Sequence, residues 1–361
     1  MPGSVRVNRL RRLMEERGLA AMLVSSAHNR RYLCGFSGSA GVLLVSGQRQ
    51  AVATDFRYYE QVQAQCLDWE LLRVGYDFDG RLPALLRELG VGGRPVGYEA
   101  EHVSVDRFNR WRAALGEAAP LCGTVGLVEE LRQVKDADEL QAIRRAVAIA
   151  DRAWAQALDD LRPGLTEREF AWRLESAMRT SGASAVAFDL IVASGPNGAL
   201  PHAVAGERVI QAGEPLVADF GCVVDGYCSD ITRTVCLGRP ADDRYLEVWN
   251  LVRRAQEAAL AGLRGGIGGV EADQLARNVI VAAGYGEYFG HGLGHGIGLA
   301  AHESPRLSFT YPEAVPAGAV VSVEPGVYLP GWGGVRIEDL VLVRADGVEV
   351  LTGAPKSPVL E

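Results

Sequence analysis

Three stretches of this sequence set acid or imidazole side chains among apolar, glycine-punctuated neighbours. The first runs Leu216-Val217-Ala218-Asp219-Phe220-Gly221-Cys222 and returns as Tyr227-Cys228-Ser229-Asp230-Ile231-Thr232-Arg233-Thr234-Val235, with Asp225-Gly226 between. Asp-Gly is a two-residue hairpin signal, which sets Val224 against Tyr227, Asp219 against Thr232 and Asp230 against Gly221. With a side-chain period of two, Asp219 and Asp230 then project from one face, a diagonal step apart. Two carboxylates on an apolar hairpin repel each other and are costly to bury unless a cation or a proton lies between them.

The second stretch, Gly290-His291-Gly292-Leu293-Gly294-His295-Gly296-Ile297-Gly298, has glycine at every other position. That much glycine argues against a helix. As a strand it has one bare face, open to close backbone approach, and one face bearing His291, Leu293, His295 and Ile297. His302 follows after a turn. In the third stretch, Val320–Tyr328 returns through a glycine-rich turn to Val335–Asp339. This allows Glu324 to face Glu338 directly, with Arg336 on the Glu338 face. Opposed like charges destabilise a strand pair, and a cation removes the penalty.

A lone strand-edge aspartate is ordinarily solvated and a lone Gly-His-Gly is ordinarily a loop. Three such segments together are different, because solvated faces are not built from acids alternating with core residues. Asp219, Asp230, His295, Glu324 and Glu338 form an oxygen-rich set with one nitrogen. Such a set suits Mn, Co, Fe or Zn, with enough charge for two divalent ions. Water held between two such ions is acidified towards neutrality to a bridging hydroxide that attacks a carbonyl, which the second ion polarises. Of the remaining polar residues, His202 reads as a loop histidine, and Arg208 and Arg233 read as surface residues. Tyr227, Thr232 and Tyr328 read either as core or as hydrogen-bond donors to the carboxylates. Asp55-Phe56-Arg57-Tyr58 reads as a strand-to-helix junction with its own ion pair.

These groups need a scaffold, and 361 residues suffice for two domains. From Val5 to about Val125, apolar runs (Ala20–Ser25, Val42–Val45, Gln50–Thr54, Glu70–Val74, Pro95–Glu99) alternate with helical spacing (Phe56–Gln65, Gly80–Leu89, Val105–Leu115). That alternation predicts a small α/β domain with a largely buried sheet. The charged run Lys135–Glu139 opens a long helix to Leu161. After Pro163-Gly164, Thr166 and Glu169 make a capping box for a helix to Thr180, and further helices are expected over Asp243–Leu263 and Glu271–Ala283. The glycine-punctuated strands beyond predict an α+β domain with a curved antiparallel sheet. The boundaries so read are 1–125, a linker at 126–137, and 138–361.

The bulk composition excludes several classes. With 48% hydrophobic and 23% charged residues the chain is neither disordered nor a membrane protein. A net charge of −8 offers nothing to nucleic acid or an anionic membrane. No run reaches the roughly 18 apolar residues of a span, and the first turns (Arg6, Arg9, Arg11, Arg12, Glu15, Glu16, Arg17) read as an amphipathic helix rather than a signal peptide. The six scattered cysteines read as buried thiols, which suits the cytoplasm.

The chain resembles the pita-bread metallopeptidases, and among them the Xaa-Pro aminopeptidase and Xaa-Pro dipeptidase (prolidase) group. Asp219 with Ser229-Asp230-Ile231-Thr232-Arg233-Thr234, Gly294-His295-Gly296-Ile297-Gly298, His302-Glu303, Val323-Glu324-Pro325-Gly326 and Arg336-Ile337-Glu338-Asp339 look like the family's signatures, in order. Gly35–Gly41 and Thr54–Tyr58 resemble its creatinase-like N-terminal domain. The resemblance implies that Asp219 chelates one metal, that Asp230 and Glu338 bridge two, and that His295 and Glu324 complete the second, with manganese first among the candidates. It also implies that Glu324 accepts a proton, that His202 and His302 serve the scissile carbonyl and proton transfer, and that His291 and Arg336 line the substrate pocket. The implied substrates are proline-containing peptides, whose ring removes an amide N–H and fixes φ, and the implied assembly is a homodimer. Methionine aminopeptidase, a metal-free creatinase-like amidinohydrolase and a non-catalytic binding protein share the scaffold. An N-terminal domain argues against the first, and the complete ligand set argues against the other two.

Overall fold

The computed structural model describes residues 2–361 and divides into two compact units, Met1–Arg132 and Gln133–Glu361. In the first, α1 (Pro2–Glu16) precedes β1 (Ala21–Val24), α2 (Ala27–Cys34), β2 (Val42–Ser46), β3 (Gln50–Thr54), α3 (Tyr59–Gln65), β4 (Glu70–Arg73), α4 (Phe78–Glu88), β5 (Val96–Glu99), α5 (Val105–Leu115) and β6 (Leu121–Thr124). The strands form one mixed sheet in the order β4-β3-β2-β1-β5-β6. Its central strands β1 and β2 are buried at every position, so they read as unbroken apolar runs rather than alternating ones. Asp55 caps the turn after β3 by accepting from the Arg57 amide and pairing with its guanidinium at 2.8 Å, the junction expected from sequence.

Sequence spacing did not anticipate α2 or β6. The buried Arg30 of α2 donates to the Gly38 carbonyl at 2.8 Å and also to those of Ser25 and Gly41, bonds to the flanking loops that hydrophobic periodicity does not announce. Residues 126–137, read as a linker, are helical over α6 (Leu127–Gln133). They end in Asp136, which caps α7 (Ala137–Asp160) in a reciprocal box with Glu139.

The second unit continues with α8 (Glu167–Thr180), capped by Thr166 and Glu169 as expected. Then come β7 (Ala185–Val186), β8 (Ile191–Ser194), β9 (Pro215–Phe220), β10 (Cys222–Val224), β11 (Tyr227–Cys228), β12 (Ile231–Leu237), α9 (Arg244–Gly262), α10 (Gly269–Ala282), β13 (Gly294–Gly296), β14 (Glu303–Leu307), β15 (Val320–Val323), β16 (Gly326–Leu329), β17 (Gly333–Arg336), β18 (Asp339–Val343), β19 (Val348–Val350) and β20 (Val359–Leu360). Its pairings are antiparallel except β12 with β20. Two helix pairs back two sheets. α7 and α8 bury Trp154, Phe170 and Met178 with Phe220 and Ile231, while α9 and α10 bury Trp249, Val252 and Ile280 with Val321, Val323 and Val341. Each such side chain contributes about 1.5–3 kcal/mol, and together they hold the two sheets whose edges carry the polar residues.

The Asp225-Gly226 turn has positive φ at both residues (49° and 84°), the type I′ geometry that matches strand twist. Val224 therefore pairs with Tyr227 and Thr232 with Asp219, the register expected from the dipeptide alone. Only Gly294–Gly296 of the glycine-rich stretch is a strand, which corrects the nine-residue strand read from alternation. Its bare face is used as expected, since a Cβ on Gly294 would lie 2.0 Å from the Ser322 carbonyl oxygen and one on Gly296 would lie 2.4 Å from that of Ser304. Gly294→Ala should therefore cost more than about 3 kcal/mol, at or beyond the upper end of ordinary overpacking. Urea unfolding of the purified variant measures it, and a midpoint equal to wild type contradicts the close approach.

Candidate metal centre

Asp219 sits within β9, paired with Thr232 and Ile191, whereas Asp230, Glu324 and Glu338 sit where a ladder is interrupted. Between β15/β18 and β16/β17 the pairing keeps one register, with Val323 opposite Asp339 and Gly326 opposite Arg336. Glu324 and Glu338 are therefore opposite each other, as the even spacing suggested. Neither amide closes that ladder: the Glu324 N–H donates to the Leu293 carbonyl at 2.8 Å, and the Glu338 N–H donates to that of Thr232 at 3.1 Å. Across the other hairpin, Gly221 makes the same kind of break, since a Cβ there would meet the Ser229 carbonyl oxygen at 2.0 Å. These breaks join the two sheets and bring their carboxylates to one place.

Asp230, His295 and Glu338 each offer a ligand atom within 4.8 Å of the other two, and all three are buried. His295 Nε2 lies 3.2 Å from Glu324 Oε1 and 3.7 Å from Asp230 Oδ2. Its Nδ1 lies 3.1 Å from the Gly296 carbonyl oxygen, which makes Nδ1 a donor and leaves Nε2 facing the acids. Asp219 joins the group through Arg336, whose Nη2 donates to Asp219 Oδ2 at 2.6 Å. Thr232 Oγ1 donates to Glu338 Oε2 at 2.7 Å, and Ser322 Oγ donates to Glu324 Oε1 at 3.0 Å while accepting the His295 N–H. Of the two roles open to Thr232, it takes that of donor to a carboxylate.

Two buried oxygens, Asp219 Oδ1 and Glu338 Oε1, have no hydrogen-bond partner. A buried carboxylate oxygen without a donor costs about 1–3 kcal/mol or more. In a cluster of four carboxylates this matches a place for cations, and the oxygen-rich donors suit hard or borderline divalent ions. The electrostatics agree. Burial, then Glu338 and the other acids, push the Asp230 carboxyl well above its usual range, and burial, then Glu324 and Asp219, do the same to Glu338. Asp219 is also raised by burial, against the pull of Arg336. Burial would raise Glu324 too, but the hydrogen bond and charge of His295, with His291 and Arg336, overcome it and hold the group down at about 2.

All five groups line one cavity of about 790 Å³, together with His202, His291, His302 and Arg336. The His302 ring centroid lies 4.3 Å from that of His295, and partial burial, followed by the His295 charge, pushes His302 down to about 4. His202 is exposed at the rim. His291 Nε2 meets the Tyr328 hydroxyl at 2.8 Å, and burial lowers its pKa. Arg336 lines the cavity, but its guanidinium is committed to Asp219, the Tyr328 hydroxyl, Thr232 Oγ1 and the Pro201 carbonyl. It acts as a brace for Asp219.

Two expectations are corrected here. Arg233 is only 2% exposed. It donates to the Glu338 carbonyl at 2.5 Å and to that of Ala354 at 2.6 Å, and pairs with Asp339 at 2.9 Å, so it supports Glu338 from behind. Its strand pattern alternates like a solvated face, but the segment around Ala354 covers that face. Arg208 is half-buried, paired with Glu214 at 2.7 Å and bonded to Ser194 Oγ. A third residue escaped sequence reasoning altogether. Arg306 pairs in register with His295 and lines the cavity, and its exposed side chain makes no hydrogen bond or ion pair among the described residues. Its position four residues after His302 was the only available signal.

Residues 141–345 match metallopeptidase family M24, and residues 6–134 match the creatinase/prolidase N-terminal domain. The chain is 42% identical to an Xaa-Pro dipeptidase of Bacillus anthracis, with a TM-score of 0.95 over 99% of this chain and 100% of that one. It is 39% identical to an X-Pro aminopeptidase of Thermotoga maritima, with a TM-score of 0.90 over 98% and 99% of the two chains. In sequence it is 33% identical to an Xaa-Pro dipeptidase of Pyrococcus horikoshii over 350 residues, 96% of each chain. With a creatinase-like α/β domain followed by an α+β pita-bread domain whose acids converge on one cavity, the chain belongs to metallopeptidase family M24.

Proposed function

We propose that this protein hydrolyses the peptide bond between an N-terminal residue and proline, using two divalent ions, manganese first, then cobalt, zinc or iron. The observation that carries the proposal is the convergence of the buried Asp230, His295 and Glu338 with the partly buried Asp219 and Glu324 in one cavity, with Asp219 Oδ1 and Glu338 Oε1 left without donors. The names of the Bacillus anthracis and Pyrococcus horikoshii relatives support the choice of substrate. Asp219, Asp230, His295, Glu324 and Glu338 are the residues that would hold the ions, which when bound supply Lewis acidity to a carbonyl and to an attacking water. Glu324, which is ionised and bears on the open cavity, is the group that would accept the proton. His202 and His302 reach the scissile carbonyl from the open side, where His302, kept neutral at pH 7, donates or accepts a hydrogen bond without adding charge. His291 orients the substrate beside Tyr328, and Arg336 holds Asp219 in place.

Arg306 favours dipeptides over longer chains. It is a cavity-lining cation beside His295 with no partner of its own, and a free C-terminal carboxylate one residue beyond the cleaved bond is the group it suits. A charge-assisted hydrogen bond contributes about 1.5–3 kcal/mol. Arg306→Met should therefore raise KM for Ala-Pro by about 10- to 100-fold and leave the amidated dipeptide almost unaffected. Equal effects on both would remove Arg306 from substrate recognition.

We place the protein in the cytoplasm as a homodimer. Its six free cysteines support that compartment, and among the described residues no helix is long and apolar enough to cross a membrane. The direct test is hydrolysis of Gly-Pro, Ala-Pro and an Xaa-Pro-Xaa peptide after chelation and after restoring manganese. Manganese-dependent cleavage supports the proposal. Cleavage of Met-Ala alone points to a methionine aminopeptidase, and activity that survives chelation points to an amidinohydrolase.

A further inference from the structure

The glycine-rich segment before β13 poses a mechanical problem. Residues 289–293 carry His291 into the cavity, yet they pair with no strand and contain two glycines, so the backbone has little rigidity of its own. Their support comes from α10. Asp273 and Arg277 stand one turn apart on that helix, where side chains meet, and Asp273 is fully buried. The Asp273 carboxylate accepts from Arg277 Nε at 2.6 Å, from Arg277 Nη2 at 2.9 Å and from the Leu293 N–H at 3.0 Å. The remaining Arg277 donors go to the Phe289 carbonyl at 2.7 Å and the His291 carbonyl at 2.6 Å.

The same guanidinium lies over two rings, 4.1 Å from the centroid of Phe289 and 5.0 Å from that of Phe309. Phe309 is flanked by Ser308 and Thr310, which line the cavity from the neighbouring rim. The two rims also touch at Gly292, where a Cβ would come within 2.9 Å of the Leu307 carbonyl oxygen. One planar cation thus grips the backbone on both sides of His291 and stacks on the neighbouring rim. Lysine cannot reproduce this, because it offers a point charge instead of a fork.

We infer that Arg277 is a positioning residue that sets the substrate side of the cavity by fixing His291 and the 308–311 rim, without taking part in metal binding. The separation follows from the anchors. Ser322 Oγ accepts the His295 N–H and donates to Glu324 Oε1, so both ligands are tied to β15 by bonds that do not involve Arg277. Arg277 touches none of the five acid or imidazole groups.

The substrate readout rests on the Xaa-Pro reading, and a second readout does not. Two variants are compared with wild type: Arg277→Lys, and Phe309→Leu, which alters only a half-exposed ring and spares the core. KM and kcat are measured on Ala-Pro, manganese affinity by calorimetry, and amide hydrogen exchange across the chain. Arg277→Lys should raise KM about tenfold with kcat within about threefold and manganese affinity within about twofold, since charge-assisted bonds to two carbonyls are lost. Exchange should quicken in 289–293 and 307–311 and nowhere else. Phe309→Leu should raise KM about threefold, for loss of the stacked cation. An unchanged KM, a fall in manganese affinity parallel to activity, or faster exchange throughout Gln133–Glu361 would each overturn the inference. If wild type cleaves no Xaa-Pro peptide, the functional reading fails by itself. The exchange pattern then decides for Arg277: local quickening upholds it and no change defeats it.

Discussion

Glu338→Gln, and equally Asp230→Asn, should lower kcat by on the order of a thousandfold or more and leave the protein unable to retain a full complement of manganese. Glutamine keeps the shape of Glu338 and can still accept from Thr232 Oγ1. The variant therefore tests charge rather than packing. Its second consequence separates a metal ligand from an ordinary buried acid. In wild type without metal, Glu338 is crowded by Glu324 and Asp219 and is held well above the usual carboxylate range. Removing that carboxylate relieves like-charge repulsion in a poorly solvated place, so the metal-free variant should be more stable than metal-free wild type at pH 8, by about 1–2 kcal/mol. Metal analysis, kcat and urea unfolding after chelation measure the three quantities. A variant that binds two manganese ions normally, or one that is inactive and also less stable without metal, would show that Glu338 holds the fold together and no cation.

The second large effect concerns pH. Asp219, Asp230 and Glu338 all have folded values above their unfolded ones, with burial the largest cause in each. Between those values the folded state binds more protons than the unfolded chain, so these three groups take stability from the metal-free protein as pH rises through and beyond the ordinary carboxylate range. Glu324 works in the opposite direction and in another window. Held down at about 2, it contributes stability above its ordinary value of 4.5 and loses it as pH falls towards 2. His291 and His302, both held below their ordinary 6.5, add stability as pH rises to that value, so the downward slope set by the raised acids is read above it. Divalent ions replace the protons, so their stabilising effect grows over the same interval. At a thousandfold excess over Kd, binding adds about 4 kcal/mol, or roughly 10 °C in Tm for a domain of this size. Thermal scans at pH 5.5, 7 and 8.5, with chelator or manganese, test the sign. A metal-free Tm that climbs between pH 7 and 8.5, or a manganese shift equal at all three values, would contradict the site.

Local chemistry was sufficient for several parts of this protein. Asp225-Gly226 admits one tight turn, and from it the pairing of Asp219 with Thr232 follows by counting. Thr166 and Glu169 form their capping box from neighbours three residues apart, and Val105–Leu115 keeps its helical bounds because its period and its Ser104 cap are local. The five candidate ligands could be named because burying an acid on an apolar strand demands compensation wherever it occurs. Contacts across long stretches of chain were beyond that reach. Only folding covers Arg233 with Ala354, brings Thr232 under Glu338, and lays Arg306 beside His295. It also replaces the expected nine-residue glycine strand by a three-residue one, because the rest of that backbone hangs from Asp273 and Arg277. Sequence periodicity records which face of an element is apolar. What then covers that face, and which distant carbonyl receives a buried guanidinium, depends on how the elements pack.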